Sequence, residues 1–170
     1  ALDATKLQTA LDSGFDRIAA LFTMGANATD SLITYSGAVD ETAAGNYAVA
    51  VSQLATRANL TGSQAADLTI IAGVNDQLSV NIDGVVASIT LGAGTYPSAD
   101  ALAAEVQSKL NGSQSLLADG VSVAVSQAGG ILSLTSSRYG SASGVTLAGG
   151  NGAAALLGTS PVATAGVDVA

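Results

Sequence analysis

The chain has 170 residues, 48% of them hydrophobic but only 4% aromatic and 11% charged, with a net charge of −8. Five cations (Lys6, Arg17, Arg57, Lys109 and Arg138) are scattered singly, so the clustered Lys and Arg of a nucleic-acid interface are absent and an acidic chain gains nothing from an anionic membrane. Without Cys or His the chain has no thiol nucleophile, no disulfide and no imidazole base, and no apolar run reaches the ~18 residues of a membrane span.

In chain order, residues 3–23 carry an amphipathic helical pattern. Leu7, Leu11, Phe15, Ile18 and Phe22 recur at steps of three and four, so they predict one packing stripe behind an Asp3 N-cap. After "GANATD" the period falls to two. "SLITYSG" reads as a short strand, and Tyr47, Val49 and Val51 of "AAGNYAVAVSQLATRA" alternate onto one face. Asn59 to Ser63 is expected to be a break, and "ADLTIIAG" to resume as a strand.

The clearest hairpin is "DQLSVNIDGVVASITLG", turning at Asp83-Gly84. Folded there, Ile82 faces Val85, Val80 faces Ala87 and Leu78 faces Ile89, and a one-residue slip would mix this apolar face with the polar one. A helix is expected from Ser98 to Leu110, capped by Ser98, with Leu102, Val106 and Leu110 on its buried face and Asn111-Gly112 ending it. The second hairpin, "GVSVAVSQAGGILSLTSS", is expected to turn across Gln127 to Gly130, with Val125 opposite Leu132 and Val123 opposite Leu134. "GVTLAG" is one more strand, "AAALLG" a helical turn, and "SPVATAGVDVA" extended chain. The order predicts an α+β fold: an N-terminal amphipathic helix, then an antiparallel β-rich body with one short packed helix.

Motifs with chemical potential are few. "GAGTYP" lacks the third glycine of a dinucleotide loop and follows an antiparallel hairpin, so it reads as a helix-entry turn. Asp40 and Glu41 are adjacent acids that do not share a face, and no calcium-loop spacing occurs. Sequons stand at Asn27, Asn59 and Asn111 in a chain rich in Ser and Thr. "SSRYGSASG", residues 136–144, has hydroxyls and glycines, but a nucleophile elbow needs Ser where Ala142 stands. It is expected to connect two strands, its hydroxyls satisfying backbone groups, with Arg138 and Tyr139 exposed for contact with a neighbour. No catalytic residue, cofactor or metal site is expected, and Tyr96 is a third candidate contact residue.

Five segments together resemble one family, the bacterial flagellar filament cap proteins, also called hook-associated protein two. "LDATKLQTALDSGFDRIAALFT" is similar to that family's helix running into "A-L-F". "AAGNYAVAVSQLATRA" resembles its "G-x-Y-x-V-x-V-x-x-L-A-T-x-A". "LSVNIDGVVASITLGAGTYPSADALAAEVQSKLNG" looks like the flagellar hook "IN"-type repeat. "GGILSLTSSRYGSASGVTL" is similar to "L-x-I-T-S-x-x-Y-G-S-x-S-x-V", with Leu134 where Ile is usual, and "GVDVA" resembles the return strand. The resemblance implies a fragment of the head: residues 1–25 at the leg-to-head junction, 26–60 with 162–170 as an inner head domain, and 61–161 as an inserted outer one. It implies a secreted structural protein at the flagellum tip, working in motility by promoting flagellin insertion. Its partners would be copies of itself in a ring-like cap, flagellin and, in an adhesive alternative, host mucin or surface carbohydrate. The coiled-coil legs of the family are absent from this sequence.

Overall fold

A computed structural model describes residues 5, 8, 26–31, 33–39, 41–43 and 45–170, and the chain divides into two units, Ala1–Val49 and Ala50–Ala170. The expected N-terminal stripe of Leu7, Leu11, Phe15, Ile18 and Phe22 lies outside the described residues, as do Asp3 and Asp40.

In the first unit, the described residues from 26 to 49 contain no strand, contrary to the alternation in "SLITYSG" and "GNYAV". Their hydrogen bonds close local turns: Ile33 N–H to the Asp30 carbonyl, Thr42 N–H to Val39, and Val39 N–H to the Thr42 hydroxyl. A period of two specifies a strand only where another strand takes up its backbone groups, and Ile33, Tyr35, Val39, Tyr47 and Val49 all stay exposed.

The second unit is antiparallel throughout. Its elements are β1 (Asn59–Thr61), β2 (Thr69–Ile70), β3 (Gln77–Ile82), β4 (Val85–Thr90), β5 (Gly94–Thr95), α1 (Ala99–Asn111), α2 (Gln114–Ala118), β6 (Val123–Ala128), β7 (Ile131–Ser136), β8 (Val145–Gly149), α3 (Ala153–Leu157) and β9 (Val162–Thr164). They form a four-stranded sheet β6-β7-β1-β9, a three-stranded sheet β4-β3-β8 and the small pair β2-β5. The mixture of antiparallel sheets and short helices is compatible with α+β or mostly-β. No described helix is long and apolar enough to cross a membrane.

The first hairpin adopts the register read from its pattern, with Ile82↔Val85, Val80↔Ala87 and Leu78↔Ile89. Asp83 and Gly84 take φ of 53° and 92°, and the Asn81 side-chain oxygen accepts from Gly84 N–H at 3.0 Å. The second hairpin differs from expectation by two residues: Val125 faces Leu134, and Val123 faces Ser136. The turn is the two residues Gly129 and Gly130, with φ of 60° and 85°, rather than four. Adjacent glycines supply the positive φ that a two-residue turn needs at both positions, and the tighter turn moves the pairing along. A shift of two preserves faces, so Leu132 and Leu134 are still buried.

Asn59 to Ser63, expected as a break, contains β1 at the middle of the larger sheet, between β7 and β9. Its polar residues flank Leu60, which is buried, and the Thr61 hydroxyl meets that of Ser133 at 3.1 Å. "ADLTIIAG" supplies only the two-residue β2, because the Asn75 side chain captures Ile71 N–H at 2.6 Å and turns the chain. β5 lies within the expected "GAGTYP" turn, and α2 begins just after the predicted helix stop, burying Leu116.

α1 starts where Ser98 Oγ accepts from Ala101 N–H at 3.1 Å, and it buries Leu102, Ala103, Val106 and Leu110 against β4 and β6. With Leu60, Leu78, Val80, Ile82, Leu132, Leu134 and Leu156 they form one aliphatic core, each buried Leu, Ile or Val side chain contributing about 1.5–3 kcal/mol. The helix also closes a sheet edge. The Asn111 side chain accepts from Val123 N–H and donates to the Val123 carbonyl, both at 2.9 Å, and the Gln107 oxygen accepts from Val125 N–H at 2.8 Å. Amide side chains thereby occupy the outer ladder positions of β6.

Three substitutions separate core, surface and edge. Leu134→Ala removes a fully buried side chain and is expected to cost about 2–5 kcal/mol in chemical denaturation, whereas exposed Leu117→Ala stays within about 0.5 kcal/mol. Asn111→Ala leaves both backbone groups of Val123 unpaired and is expected to cost about 1–3 kcal/mol, with a melting temperature lowered accordingly.

Candidate functional site

The loop 136–144 leaves β7 and enters β8, and its polar groups turn inward. Ser136 Oγ donates to Asp83 Oδ2 at 2.7 Å and accepts from Arg138 N–H at 3.0 Å. Asp83 Oδ1 accepts from Gly144 N–H at 2.9 Å, while Asp83 N–H donates to the Gly144 carbonyl at 2.7 Å. The turn of the β3-β4 hairpin is thus fastened to both ends of the loop. Ser143 Oγ accepts from Ala58 N–H at 2.8 Å. Ser136 and Ser143 are both buried, so neither hydroxyl is open to a substrate. The reading of these hydroxyls as partners for backbone groups holds at both.

The other side of the loop meets the two chain ends of the unit. Gly140 N–H donates to the Thr56 carbonyl at 3.0 Å, and Gly166 N–H donates to the Ser143 carbonyl at 3.2 Å. Asp168 Oδ1 accepts from Ser141 N–H at 2.7 Å. A Cβ at Gly166 would collide with the Gly140 carbonyl and the Ser143 side chain, so only glycine permits this approach. The bonds from Ser141, first through its side chain and then its backbone, hold the Asp168 carboxyl below its usual value. At the opposite end of the sheet, Asp76 is also lowered, first by Gly73 N–H and further by the Asn151 side chain, against a contrary push from burial.

Arg138 and Tyr139 are exposed, Tyr139 by 59%, and the Arg57 guanidinium stands over the Tyr139 ring at 5.1 Å from its centroid. At such an exposed site this stacking is worth about 0.5–1 kcal/mol. The structure therefore joins Tyr139 to Arg57, a residue the sequence reading singled out only as one of five scattered cations. A cation about 80 residues away carries no local signal of such a contact. The Asp83 carboxylate, read only as a turn residue, is the other participant that spacing did not disclose.

Tyr96 belongs to a separate shallow groove lined by residues 92–97 and Glu105. It is half-buried against the core, and its hydroxyl donates to the Gly92 carbonyl at 3.3 Å. Burial first, and then the Glu105 charge, push its pKa up. Among the described residues no group of three or more His, Cys, Asp or Glu could hold a metal ion. No family model matches the chain, and no curated protein is significantly similar to it.

The two lowered carboxyls set a pH dependence. A depressed folded-state pKa contributes stability that is present above the unfolded value, near 3.8, and is lost as pH falls through the folded value. Thermal unfolding followed from pH 7 to pH 2 is therefore expected to show a falling melting temperature below about pH 4. Asp168→Asn should lower it at pH 7, and its gap from the native chain should narrow as pH falls through that window.

Proposed function

We propose that the chain is the head part of a flagellar filament cap protein, a self-assembling structural component that promotes flagellin insertion at the growing tip. The finer architecture proposed with it is an N-terminal helix over residues 1–25, an inner head domain of 26–60 with 162–170, and an inserted outer domain of 61–161. The family resemblance brings this reading to the chain, and one structural observation supports it most. The first and last segments of the unit Ala50–Ala170 run side by side: Ser52 and Gln53 N–H donate to the Ala170 carbonyl, Thr56 N–H to the Val167 carbonyl, and β1 pairs with β9. A unit whose entry and exit are clamped together suits insertion into a longer chain, from which it projects as a head.

Further support comes from where the resembling segments fall. The "IN"-type segment supplies β3, β4, β5 and α1, the "Y-G-S-x-S" segment supplies β7, the fastened loop and β8, and "GVDVA" runs back along residues 52–56 through backbone hydrogen bonds, with no strand assigned to it. The scarcity of charge also suits contact among copies: residues 139–167, which include exposed Tyr139, Val162 and Val167, carry no charge at all.

The test uses the whole parent protein in its flagellated host. Deleting residues 50–170 is expected to abolish caps on filament tips by electron microscopy and to release unpolymerised flagellin into the medium; normal filaments with normal caps would overturn the reading. Arg138→Ala with Tyr139→Ala is expected to reduce cap assembly severalfold. The exposed Tyr139 face favours one second reading, adhesion to mucin or surface carbohydrate. There, Tyr139→Ala would abolish binding to immobilised mucin while leaving caps intact.

A further inference from the structure

The two edges of the larger sheet are treated differently. β6 is closed by the amides of Gln107 and Asn111, whereas β9 ends the sheet with all three residues exposed, Val162 by 63%. Open edges are ordinarily guarded by charged side chains, bulges or covering elements. Here the nearest guard is Pro161, and no charge stands between Arg138 and Asp168.

The same chain carries a segment with the complementary deficiency. Residues 45–51, "GNYAVAV", are exposed throughout, and none of their backbone groups is hydrogen-bonded to another described residue. Tyr47, Val49 and Val51 alternate as a strand's face does, and residues 42–56 contain no charge. Chains of net charge −8 repel one another, and they meet at least cost where both surfaces are uncharged.

We propose that residues 45–51 of one copy add as a strand to the open β9 edge of a second copy. Backbone ladder bonds would supply affinity, and the Tyr47, Val49 and Val51 alternation would set register. The donor and acceptor surfaces differ, so the contact is head-to-tail and propagates from copy to copy, closing into a ring or extending as the rotation dictates. The inference rests on the self-assembly reading above and gives that assembly a surface.

The chain has no cysteine, so introduced ones report cleanly. The 170-residue chain carrying Ala163→Cys is mixed in turn with the same chain carrying Ala48→Cys, Val49→Cys or Ala50→Cys under mild oxidation, so that both faces of the donor are sampled. At least one mixture is expected to give a disulfide-linked heterodimer at tenfold or more above an Ala163→Cys mixture with exposed Leu117→Cys. Adding Val162→Lys and Thr164→Lys to the acceptor should return that yield to the control level, with its circular dichroism and melting unchanged. Control-level cross-linking in all three mixtures overturns the proposal, as does a cross-link that persists through the lysine substitutions. Predominant Ala163→Cys homodimers would also overturn it, showing β9 paired with itself. Loss of this contact with cap assembly retained in the parent would place the assembly surface elsewhere and leave the cap reading standing.

Discussion

In the unit Ala50–Ala170 one carboxylate fastens the two larger sheets to each other over their shared aliphatic core. Asp83 sits at the tip of the β3-β4 hairpin with φ of 53°, a conformation that Asp tolerates better than most residues. From there its two oxygens reach the end of β7 through Ser136 and the start of β8 through Gly144. β7 belongs to one sheet, and β3, β4 and β8 belong to the other. A single turn residue therefore ties the two sheets together at the loop that passes between them. A hydrogen bond of this kind contributes about 0.5–1.5 kcal/mol net, and here two of them share one acceptor group.

The surrounding bonds carry that tie outward. Ser143 takes up Ala58 N–H just before β1, Gly140 bonds Thr56, and Gly166 and Asp168 bond the same loop from the returning chain. Entry strand, exit strand, hairpin tip and crossover loop thus meet in one place. The many hydroxyls of the loop are explained by this convergence: a chain making a sharp crossing between sheets leaves backbone groups unpaired, and short polar side chains satisfy them locally. The residues that first suggested chemistry are consumed by structure, and Arg138 and Tyr139 are left facing outward.

Local pattern made the tightest elements legible. The Asp83-Gly84 hairpin register, the Ser98 cap and the Leu102, Val106, Leu110 face all follow from spacing, because turn chemistry and helical periodicity act over a few residues. Glycine pairs are harder to read: "SQAGG" admits a turn of two or four residues, and only the positive φ of both glycines decides it. β1 was hidden because "NLTGS" has the composition of a turn, while its strand character comes from β7 and β9, more than 70 residues distant in sequence. In "SLITYSG" the reverse occurs, alternation without a partner strand among the described residues. The Asp83 and Arg57 contacts follow the same rule. Each is a long-range pairing, and nothing within a few residues of either predicts it.

Scarcity of charge connects these features. With 11% charged residues the chain has few side chains to spare for guarding a sheet edge, and it guards β6 with amides that also hold α1 in place. That device needs a helix packed alongside, and among the described residues of the unit Ala50–Ala170 β9 has none. An edge without charge, bulge or cover is tolerated in a protein whose working state brings another strand to it, and is an aggregation hazard otherwise. Pro161 limits the hazard at one end of β9, since proline cannot donate to a ladder, and the ribbon formed by residues 52–56 with 167–170 limits it at the other. Between them Val162, Ala163 and Thr164 present a short edge of defined length, which favours a short, specific strand addition over open-ended stacking.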